Sequence, residues 1–263
     1  MILLVSMALV GCGKGSNKDV FKVALEADYA PFNWTQMDDS NGAVKMDGLA
    51  EYAGGYDVEI AKLIAEGLGR ELVIVKAEWE GLIGGIKTGV FDAIIAGMSP
   101  TEERALEIDF SDNYYKSDLV MVVKRGGGYE NAKSIQDFSG AKIVGQQGTF
   151  HDTVIDQING VVHDTPAPDF GVMRVSLLSG IIDGYVSERP EGISAMAAND
   201  DFVMVEFEDG FEASDDDVAV AVGLKKGSNE IREKINEILA GISEAKRQEI
   251  MDKAIETQPI MDE

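Results

Sequence analysis

The chain has 263 residues, of which 45% are hydrophobic and 27% are charged. This length and composition are typical of a globular protein with enough core for two lobes. Asp and Glu outnumber Lys and Arg by 47 to 23, so the net charge of −24 makes nucleic acid and anionic lipid poor partners. Cys12 is the sole cysteine and the two histidines are far apart, which argues against an intrachain disulfide and against a zinc site.

The first twelve residues, MILLVSMALVGC, are apolar up to the final Gly-Cys and too few to span a bilayer. They are typical of the end of a signal peptide, and the polar residues 13–19 are typical of a tether. The segment LVGC resembles a bacterial lipobox, which predicts a lipid attached to Cys12. No basic residue precedes the apolar run, which is unusual for a signal peptide, and the alternative is a buried first strand with an ordinary free cysteine.

Short apolar strands alternate with helical segments in the first part of the chain. Strand, helix and strand joined by short links predict parallel strands with right-handed crossovers, and ligands of such sheets bind beyond the carboxyl ends of the strands. Residues 36–55 are polar and without periodicity, which predicts a long loop. The predicted elements in order are strand 21–25, a turn at Pro31, loop 36–55, a helix from Tyr56 capped by Asp57, strand 72–75, helix 80–87 and strand 91–95.

A helix start after the last of these strands is the first candidate binding site. Gly97 brings the backbone close to the strand end, and Ser99–Glu102 has the capping pattern of a helix N-terminus, with Ser99 as the cap. The free N–H groups of a helix start suit an anion, and Arg104 can add a bidentate contact to a carboxylate. These residues predict a carboxylate site, although the alternative is that Arg104 pairs with a surface acid such as Glu107.

The two halves of the chain contain a short internal repeat. Residues 88–95, TGVFDAII, parallel residues 179–186, SGIIDGYV, because each segment ends a helix, turns at Gly and enters a strand through Asp. In this register Glu188 takes the place of Gly97 at the end of its strand. The repeat predicts two lobes, each of which offers a strand end to one shared cleft.

The remaining sequence predicts how the lobes are connected. We expect hinges near residues 114–118 and 214–218, and a strand at Val218–Val222 that returns to the first lobe. Two amphipathic helices follow, one that begins at Ser228 and one capped by Ser243. Two adjacent crossings allow a hinge closure that buries a ligand between the lobes.

Several motifs make the chain similar to one family. GMSPTEER followed by IDFSDNYY resembles the central signature of the extracytoplasmic amino-acid-binding proteins of ABC importers, the family 3 solute-binding proteins. EADYAPF, GYDVEIA and the segment SERP at 187–190 resemble further markers of that family. The resemblance implies an α/β fold of two Rossmann-like lobes joined by a two-strand hinge, the type II periplasmic-binding-protein fold. Lobe 1 then comprises residues 20–115 plus 218–263, and lobe 2 comprises residues 116–217.

The resemblance also implies which residues hold the main-chain groups of an amino acid. Arg104 and Ser99 match the residues that hold the α-carboxylate. The turn GQQGTF of the second lobe faces the same anion, with Thr149 as the cap of a helix and Gln146 beside it. Glu188 matches the acid that accepts the α-ammonium group, at a position where the family more commonly has Asp.

Other matching residues surround the side chain of the ligand. Tyr29 and Trp79 match two opposed aromatic walls, and Glu26 matches an acid that faces the side chain in binders of basic amino acids. Aromatic rings and the nearby charge of Asp28 suit a cation, so arginine or lysine is favoured. Gln146 serves a neutral polar group equally well, which keeps glutamine, histidine and a cystine-like ligand open. The full predicted set is Glu26, Tyr29, Trp79, Gly97, Met98, Ser99, Arg104, Gln146, Thr149 and Glu188.

The implied function is the capture of an L-amino acid by lobe closure and its delivery to an ABC-transporter permease for import. The resemblance further implies a monomer without cofactor or metal, anchored through Cys12 to the outer face of the bacterial cell membrane. One alternative is an enzyme on the same fold, such as a dehydratase of small cyclic acids, with Glu26, Glu188 and His151 as candidate acids and bases. The other is a sensory ligand-binding domain, which usually has a transmembrane segment.

Overall fold

The structure, a computed structural model, describes residues 19–259. The predicted signal segment with its lipidation site at Cys12, and the tether up to residue 18, lie outside the described residues. Between residues 19 and 259, no helix has the length and apolarity needed to cross a membrane.

The strands of the described chain form two sheets of five strands and one of four. They are β1 (Val20–Leu25), β2 (Asp28–Tyr29), β3 (Asn33–Gln36), β4 (Val44–Lys45), β5 (Tyr52–Gly54), β6 (Glu71–Lys76), β7 (Ala93–Ile94), β8 (Asp109–Lys116), β9 (Leu119–Lys124), β10 (Lys142–Val144), β11 (Val162–His163), β12 (Gly184–Glu188), β13 (Phe202–Val205) and β14 (Ala219–Leu224). The helices are α1 (Tyr56–Gly67), α2 (Leu82–Thr88), α3 (Glu102–Glu107), α4 (Phe150–Thr153), α5 (Phe170–Leu178), α6 (Arg189–Ala198), α7 (Asn229–Ala240) and α8 (Glu244–Thr257).

The two large sheets have the same architecture. The first has the order β6-β1-β7-β14-β8 and the second the order β11-β10-β12-β9-β13. In each sheet the first three strands of that order are parallel, and the fourth is antiparallel to the third. We call the parts of the molecule built on these sheets the first lobe and the second lobe. The predicted α/β fold with two lobes is confirmed, and β7 and β12 occupy matching places in their sheets.

The predicted internal repeat is also a repeat of structure. Asp92 accepts a hydrogen bond from Lys22 N at 2.8 Å, and Asp183 accepts one from Lys142 N at 2.8 Å. Each aspartate therefore ties the entry of a central parallel strand, β7 or β12, to the backbone of its neighbour, β1 or β10. The helix before each repeat ends at a glycine with positive φ, as a left-handed helix terminus requires.

Strand burial follows from the apolar runs of the sequence. All residues of β12 and β14 are buried, because both strands lie inside their sheets. Their continuous burial is typical of strands covered on both faces. The last residue of β12 is Glu188, so a carboxylate is carried into the interior at the end of an otherwise mostly apolar strand.

Two predicted features of the first lobe are wrong. Residues 36–55 are more than a loop, since β4 and β5 join β2 and β3 in a four-stranded antiparallel sheet. Strands of two to four residues are too short to give a recognisable alternating pattern. Asp57 does not cap α1, because Gly55 holds the N-cap position and Asp57 is fully buried as the second residue of the helix.

The chain passes between the two sheets at two adjacent places. It leaves the first sheet between β8 and β9 and returns to it at β14. Ser117 N donates a hydrogen bond to Val218 O at 2.9 Å, so the two crossings lie side by side. Lys116 and Asp215 form an ion pair in the same region.

Candidate ligand-binding cleft

A small cavity lies between the lobes, beside the residues that follow β7. Its volume of about 10 Å³ is close to that needed for a single water. A larger groove of about 680 Å³ lies next to it and shares Arg104, Thr149 and Phe150 with it. Seven of the ten predicted site residues line the small cavity, together with two others: Tyr29, Trp79, Gly97, Ser99, Arg104, Gln146, Thr149, Phe150 and His151.

Arg104 is the buried cation of the cleft. Its Nη1 donates to Ser99 O at 2.9 Å, and its Nη2 donates to Gly148 O of the second lobe at 3.1 Å. Within residues 19–259 no carboxylate forms an ion pair with it, and Glu107 pairs with Lys87 instead. Burial lowers the pKa of Arg104 to about 10, so the guanidinium stays charged at neutral pH. A buried cation without an anionic partner is unfavourable, which makes Arg104 a candidate receptor for a carboxylate.

The predicted helix cap at Ser99 is wrong. Helix α3 begins at Glu102, and its cap is Thr101, whose hydroxyl accepts a hydrogen bond from Arg104 N at 3.4 Å. Ser and Thr are both strong cap residues, so the sequence does not distinguish these neighbours. Ser99 Oγ donates to Asp217 O at 2.9 Å and so ties the cleft to the returning segment of the chain.

Gly97 and Met98 contribute backbone to the site. A Cβ on Gly97 would lie 2.7 Å from the Tyr29 ring, and φ is 59°, so the close approach predicted for this glycine is present. Gly97 N donates to the hydroxyl of Tyr114 at 3.2 Å. Met98 is buried, and its carbonyl oxygen accepts a hydrogen bond from Ala221 N at 3.0 Å.

Glu188 is the buried anion of the cleft. It ends β12 and is 1% exposed. Its Oε1 lies 3.5 Å from His151 Nε2, and its Oε2 has no hydrogen-bond partner among the described residues. A buried carboxylate oxygen without a donor is unfavourable, so Glu188 is a candidate receptor for a cationic group.

The turn of the second lobe approaches the first lobe through Gln146. Its Nε2 donates to Glu26 Oε2 at 3.0 Å and to Pro168 O at 3.1 Å. Thr149 occupies the N-cap position of α4, but its hydroxyl donates to Gln146 O at 2.7 Å and caps nothing. The predicted capping role of Thr149 is therefore wrong, because the tight turn before α4 offers the hydroxyl a nearer acceptor.

Glu26 is a second buried acid, and it lies on the first lobe. It is 5% exposed, and its Oε1 has no hydrogen-bond partner in the described chain. Burial, helped by the charges of Asp28, Asp169 and Glu78, raises the pKa of Glu26 to about 8, although the hydrogen bond from Gln146 acts in the opposite direction. In this closed arrangement the carboxyl group is therefore largely neutral at pH 7.

The two predicted aromatic walls have different surroundings. Tyr29 stacks on Phe32 with a centroid distance of 4.9 Å and on Phe170 of the second lobe with one of 4.3 Å. Trp79 is half-buried in a single helical turn and lies against Arg104, whose guanidinium carbon is 5.1 Å from the centre of the ring. An aromatic stack from both lobes thus closes one side of the cleft.

A buried hydrogen-bond network supports the first-lobe side of the site. Asp57 accepts hydrogen bonds from the Tyr114 hydroxyl at 2.7 Å and from Asn33 Nδ2 at 2.8 Å. Asn33 Oδ1 in turn accepts from Ala27 N at 2.8 Å. Burial raises the pKa of Asp57 to about 7, against these hydrogen bonds. The network fixes the loop after β1 and, through Tyr114, the backbone of Gly97.

The predicted ligand-binding set omits Phe150, His151 and Phe170, and the sequence names His151 only as a candidate acid or base of the enzyme alternative. The first two directly follow Thr149 at the start of α4, so the anion-facing turn was a usable signal for them. Phe170 follows Asp169, the cap of α5, and its contact with Tyr29 depends on how the two lobes are placed. No local pattern reports such a contact.

Direct contacts hold the lobes in a closed arrangement. They are the hydrogen bonds from Arg104 to Gly148 and from Gln146 to Glu26, and the stack of Tyr29 on Phe170. An organic ligand is larger than the cavity, so the lobes must separate to admit one. Hinge motion at the two crossings is the movement that the topology allows.

The chain is similar to known solute-binding proteins over most of its length. The family described as bacterial extracellular solute-binding proteins, family 3, matches residues 21–257. The arginine-binding extracellular protein ArtP of Bacillus subtilis (strain 168) is 26% identical over 245 residues, which cover 89% of this chain and 87% of that protein.

Solved structures of amino-acid-binding proteins have the same fold. An amino acid ABC transporter substrate-binding protein from Streptococcus pneumoniae Canada MDR_19A, bound to L-arginine, superposes with a TM-score of 0.79 at 26% identity and covers 90% of this chain and 93% of its own. An ancestral arginine-binding protein bound to glutamine superposes with a TM-score of 0.72 at 27% identity. The superposed region covers 90% of this chain and 97% of the ancestral protein.

These likenesses confirm the resemblance predicted from the motifs and the type II periplasmic-binding-protein fold. Members of this family bind a solute and do not transform it, so the alternative of a dehydratase-like enzyme is excluded. The chain belongs to the bacterial extracellular solute-binding proteins, family 3.

Proposed function

We propose that the protein binds an L-amino acid with a basic side chain, arginine or lysine, between its lobes and delivers it to an ABC transporter for import. One observation carries this proposal. The cleft holds a buried cation, Arg104, and a buried anion, Glu188, on opposite lobes. Within the described chain, Arg104 forms no ion pair with a carboxylate, and Glu188 forms none with an arginine or a lysine. A zwitterion supplies both missing charges at once.

The carboxylate end of the ligand binds Arg104. Among the described residues, the guanidinium donates only to the carbonyl oxygens of Ser99 and Gly148, and a carboxylate is the stronger acceptor. Gly148 belongs to the second lobe. When the ligand carboxylate replaces the Gly148 carbonyl as acceptor, Arg104 of the first lobe is linked to the second lobe through the ligand. Thr149 and the Trp79 ring line this end of the site.

The ammonium end of the ligand binds Glu188. Its buried Oε2 has no donor among the described residues, and an ammonium group brings three N–H donors. His151 Nε2 lies 3.5 Å from the other oxygen, Oε1, and helps to orient the carboxylate. Glu188 ends a strand of the second lobe, while Arg104 belongs to the first, so one bound amino acid contacts both lobes and favours their closure.

A basic side chain suits the remaining part of the cleft. In the described chain, the buried Oε1 of Glu26 has no hydrogen-bond partner, and the charge of Asp28 acts on this carboxyl group. The relative ArtP is named as arginine-binding, and the Streptococcus pneumoniae protein holds L-arginine, which supports this choice. The ancestral protein bound to glutamine shows that a related fold accepts a neutral polar side chain, so the ligand must be measured.

Closure would move two rigid bodies, residues 20–115 plus 218–263 and residues 116–217. The arrangement of the sheets and the adjacent crossings at Ser117 and Val218 support these bounds. The closed form would then be the one that a permease recognises.

The protein would work as a monomer held at the outer face of the cell membrane by a lipid on Cys12. The segment LVGC at residues 9–12 and the polar residues after it support this part of the proposal.

The experiment that tests the function is thermal unfolding of the purified protein with each of the twenty amino acids. A ligand that binds only the folded protein raises its Tm by mass action, so arginine or lysine is expected to raise it by several degrees. The Arg104→Ala variant should lose more than about 2 kcal/mol of binding free energy, because it removes a charge-assisted contact from a buried site.

Each other outcome has a definite meaning. A Tm shift with glutamine alone keeps amino-acid binding and rejects the basic side chain. Unchanged affinity of Arg104→Ala removes this residue from the site. No shift with any amino acid rejects the proposed function.

A further inference from the structure

The part of the cleft beyond Glu26 contains acids from both lobes. Asp28 belongs to β2 of the first lobe, and Asp169 caps α5 of the second lobe by accepting a hydrogen bond from Val172 N at 2.7 Å. Both approach Gly171: a Cβ built there would lie 3.2 Å from Asp169 Oδ1 and 3.7 Å from Asp28 Oδ1. Closure of the lobes therefore brings two carboxylates towards each other.

Among the described residues, no basic side chain pairs directly with either acid. The charges of Lys76 and Arg174 act on Asp28 only from a distance, and Lys76 Nζ donates to Thr35 Oγ1 at 3.1 Å. Neither Asp28 nor Asp169 forms an ion pair with a basic residue between positions 19 and 259. The nearby Arg174 is occupied, because it pairs with Glu191 at 2.8 Å and donates to Ser194 Oγ at 3.0 Å. The two carboxylates repel each other in the closed form.

A third acid connects this pair to the interior. Glu26 is 5% exposed and carries a buried oxygen, Oε1, with no hydrogen-bond partner among the described residues. Gln146 Nε2 donates both to Glu26 Oε2 at 3.0 Å and to Pro168 O at 3.1 Å, and Pro168 directly precedes Asp169, so Glu26 lies beside the pair. The charges of both Asp28 and Asp169 act on it. A long cationic side chain carries several N–H groups at its end. Such a group fits here, because it can donate to the buried Oε1 of Glu26 and to the more exposed carboxylates of Asp28 and Asp169.

We propose that the two lobes together form a subsite for the ammonium or guanidinium group of the ligand side chain, with Glu26 and Asp28 on the first lobe and Asp169 on the second. This inference rests on the proposed function and extends it, since it assigns specificity to a residue of the second lobe. Asp169 makes closure depend on the charge of the ligand. A cation bridges Asp28 and Asp169 and favours closure, whereas a neutral side chain leaves their repulsion in place.

Calorimetric titration with two pairs of ligands tests this subsite. L-Arginine is compared with L-citrulline, which has a neutral group of similar shape, and L-lysine with L-norleucine. The variants are Asp169→Asn, which retains a side-chain oxygen to cap α5, and Asp201→Asn, which removes the same charge from an exposed site outside the cleft.

The wild-type protein is expected to bind the cationic member of one pair at least about tenfold more tightly than its neutral counterpart. Asp169→Asn should reduce that preference by about tenfold, mainly through weaker binding of the cation, and Asp201→Asn should leave it unchanged. A rise in affinity for the neutral ligand in Asp169→Asn would also support the proposal, because the repulsion is removed.

Two results would overturn the inference. One is an unchanged preference in Asp169→Asn. The other is a wild-type protein that binds the charged and neutral members equally, which leaves amino-acid binding intact and rejects only the cation subsite. Failure of every ligand in both pairs, together with no response to the other amino acids, rejects the proposed function itself.

Discussion

Four buried side-chain atoms of the described chain lack a hydrogen-bond partner, and all four belong to the cleft. They are Glu26 Oε1, Tyr29 Oη, His151 Nδ1 and Glu188 Oε2. Buried polar groups without partners are rare in folded proteins, so their concentration at one place calls for a common cause. A polar ligand held between the lobes is such a cause, because it supplies donors and acceptors that the protein lacks.

Glu26 makes the stability of the ligand-free protein depend on pH. The pKa of this carboxyl rises from 4.5 to about 8 on folding into the closed arrangement, mainly because it is buried. Its contribution to stability is fully present below pH 4.5 and is lost as the pH rises through about 8. A tenfold difference between the acid dissociation constants of the folded and unfolded states corresponds to about 1.4 kcal/mol. Opening of the cleft reduces this cost, because water then solvates the carboxyl group of Glu26.

The variant Glu26→Gln should therefore be stabilised relative to the wild type as the pH rises from 5 towards 8.5. Chemical unfolding at several pH values measures the difference in unfolding free energy between the two proteins. Asp57 and His163 also have raised pKa values, but they are present in both proteins and cancel in the difference. Parallel profiles for the two proteins would contradict the prediction.

At the scale of elements, local pattern predicts what local interactions determine. The strand β1, the helix α1 and the cap of α8 by Ser243 appear where the sequence predicts them. The internal repeat was also readable, because its glycines and aspartates make their contacts in matching places.

The sequence predicts least where a contact depends on distant parts of the chain. The Ser99 hydroxyl donates a hydrogen bond to Asp217 O instead of capping α3. The Asp57 carboxylate accepts hydrogen bonds from Tyr114 and Asn33 instead of capping α1. In each case a partner far along the chain offers a better interaction than the local one. The cleft residues were named through their motifs, but the stack of Tyr29 on Phe170 and the facing carboxylates of Asp28 and Asp169 needed the structure.

The repeated aspartates give a prediction about the strand entries. Asp92→Ala and Asp183→Ala each remove an acceptor for one backbone N–H, of Lys22 or Lys142. We expect each variant to lose about 1 kcal/mol of unfolding free energy, measured by denaturant titration. Asn at either position retains an oxygen and should lose less. A loss at one position and none at the other would show that the two lobes do not use the repeat in the same way.

For the whole molecule, closure is the movement that connects binding with transport. The closed arrangement has direct contacts between the lobes and little room for a ligand. Small-angle X-ray scattering should therefore give a larger radius of gyration without ligand, since an open form is needed for entry. Saturating ligand should bring the value towards the roughly 18 Å of a compact chain of this length.

The Arg104→Ala variant is the control for this measurement and should show no ligand-induced decrease. A wild-type protein that binds its ligand without any change in the radius of gyration would contradict closure by hinge motion.

The position of β14 also affects the order in which the chain can acquire its structure. This strand is buried between β7 and β8, yet it follows the whole of the second sheet in the sequence. All strands of the second sheet come from one continuous segment, residues 119–205, so that sheet can form as soon as the segment is available. Until residues 219–224 arrive, β8 has no neighbour in its sheet. A nascent chain therefore completes its second lobe before its first, and it acquires a functional cleft only when its C-terminal part has been made.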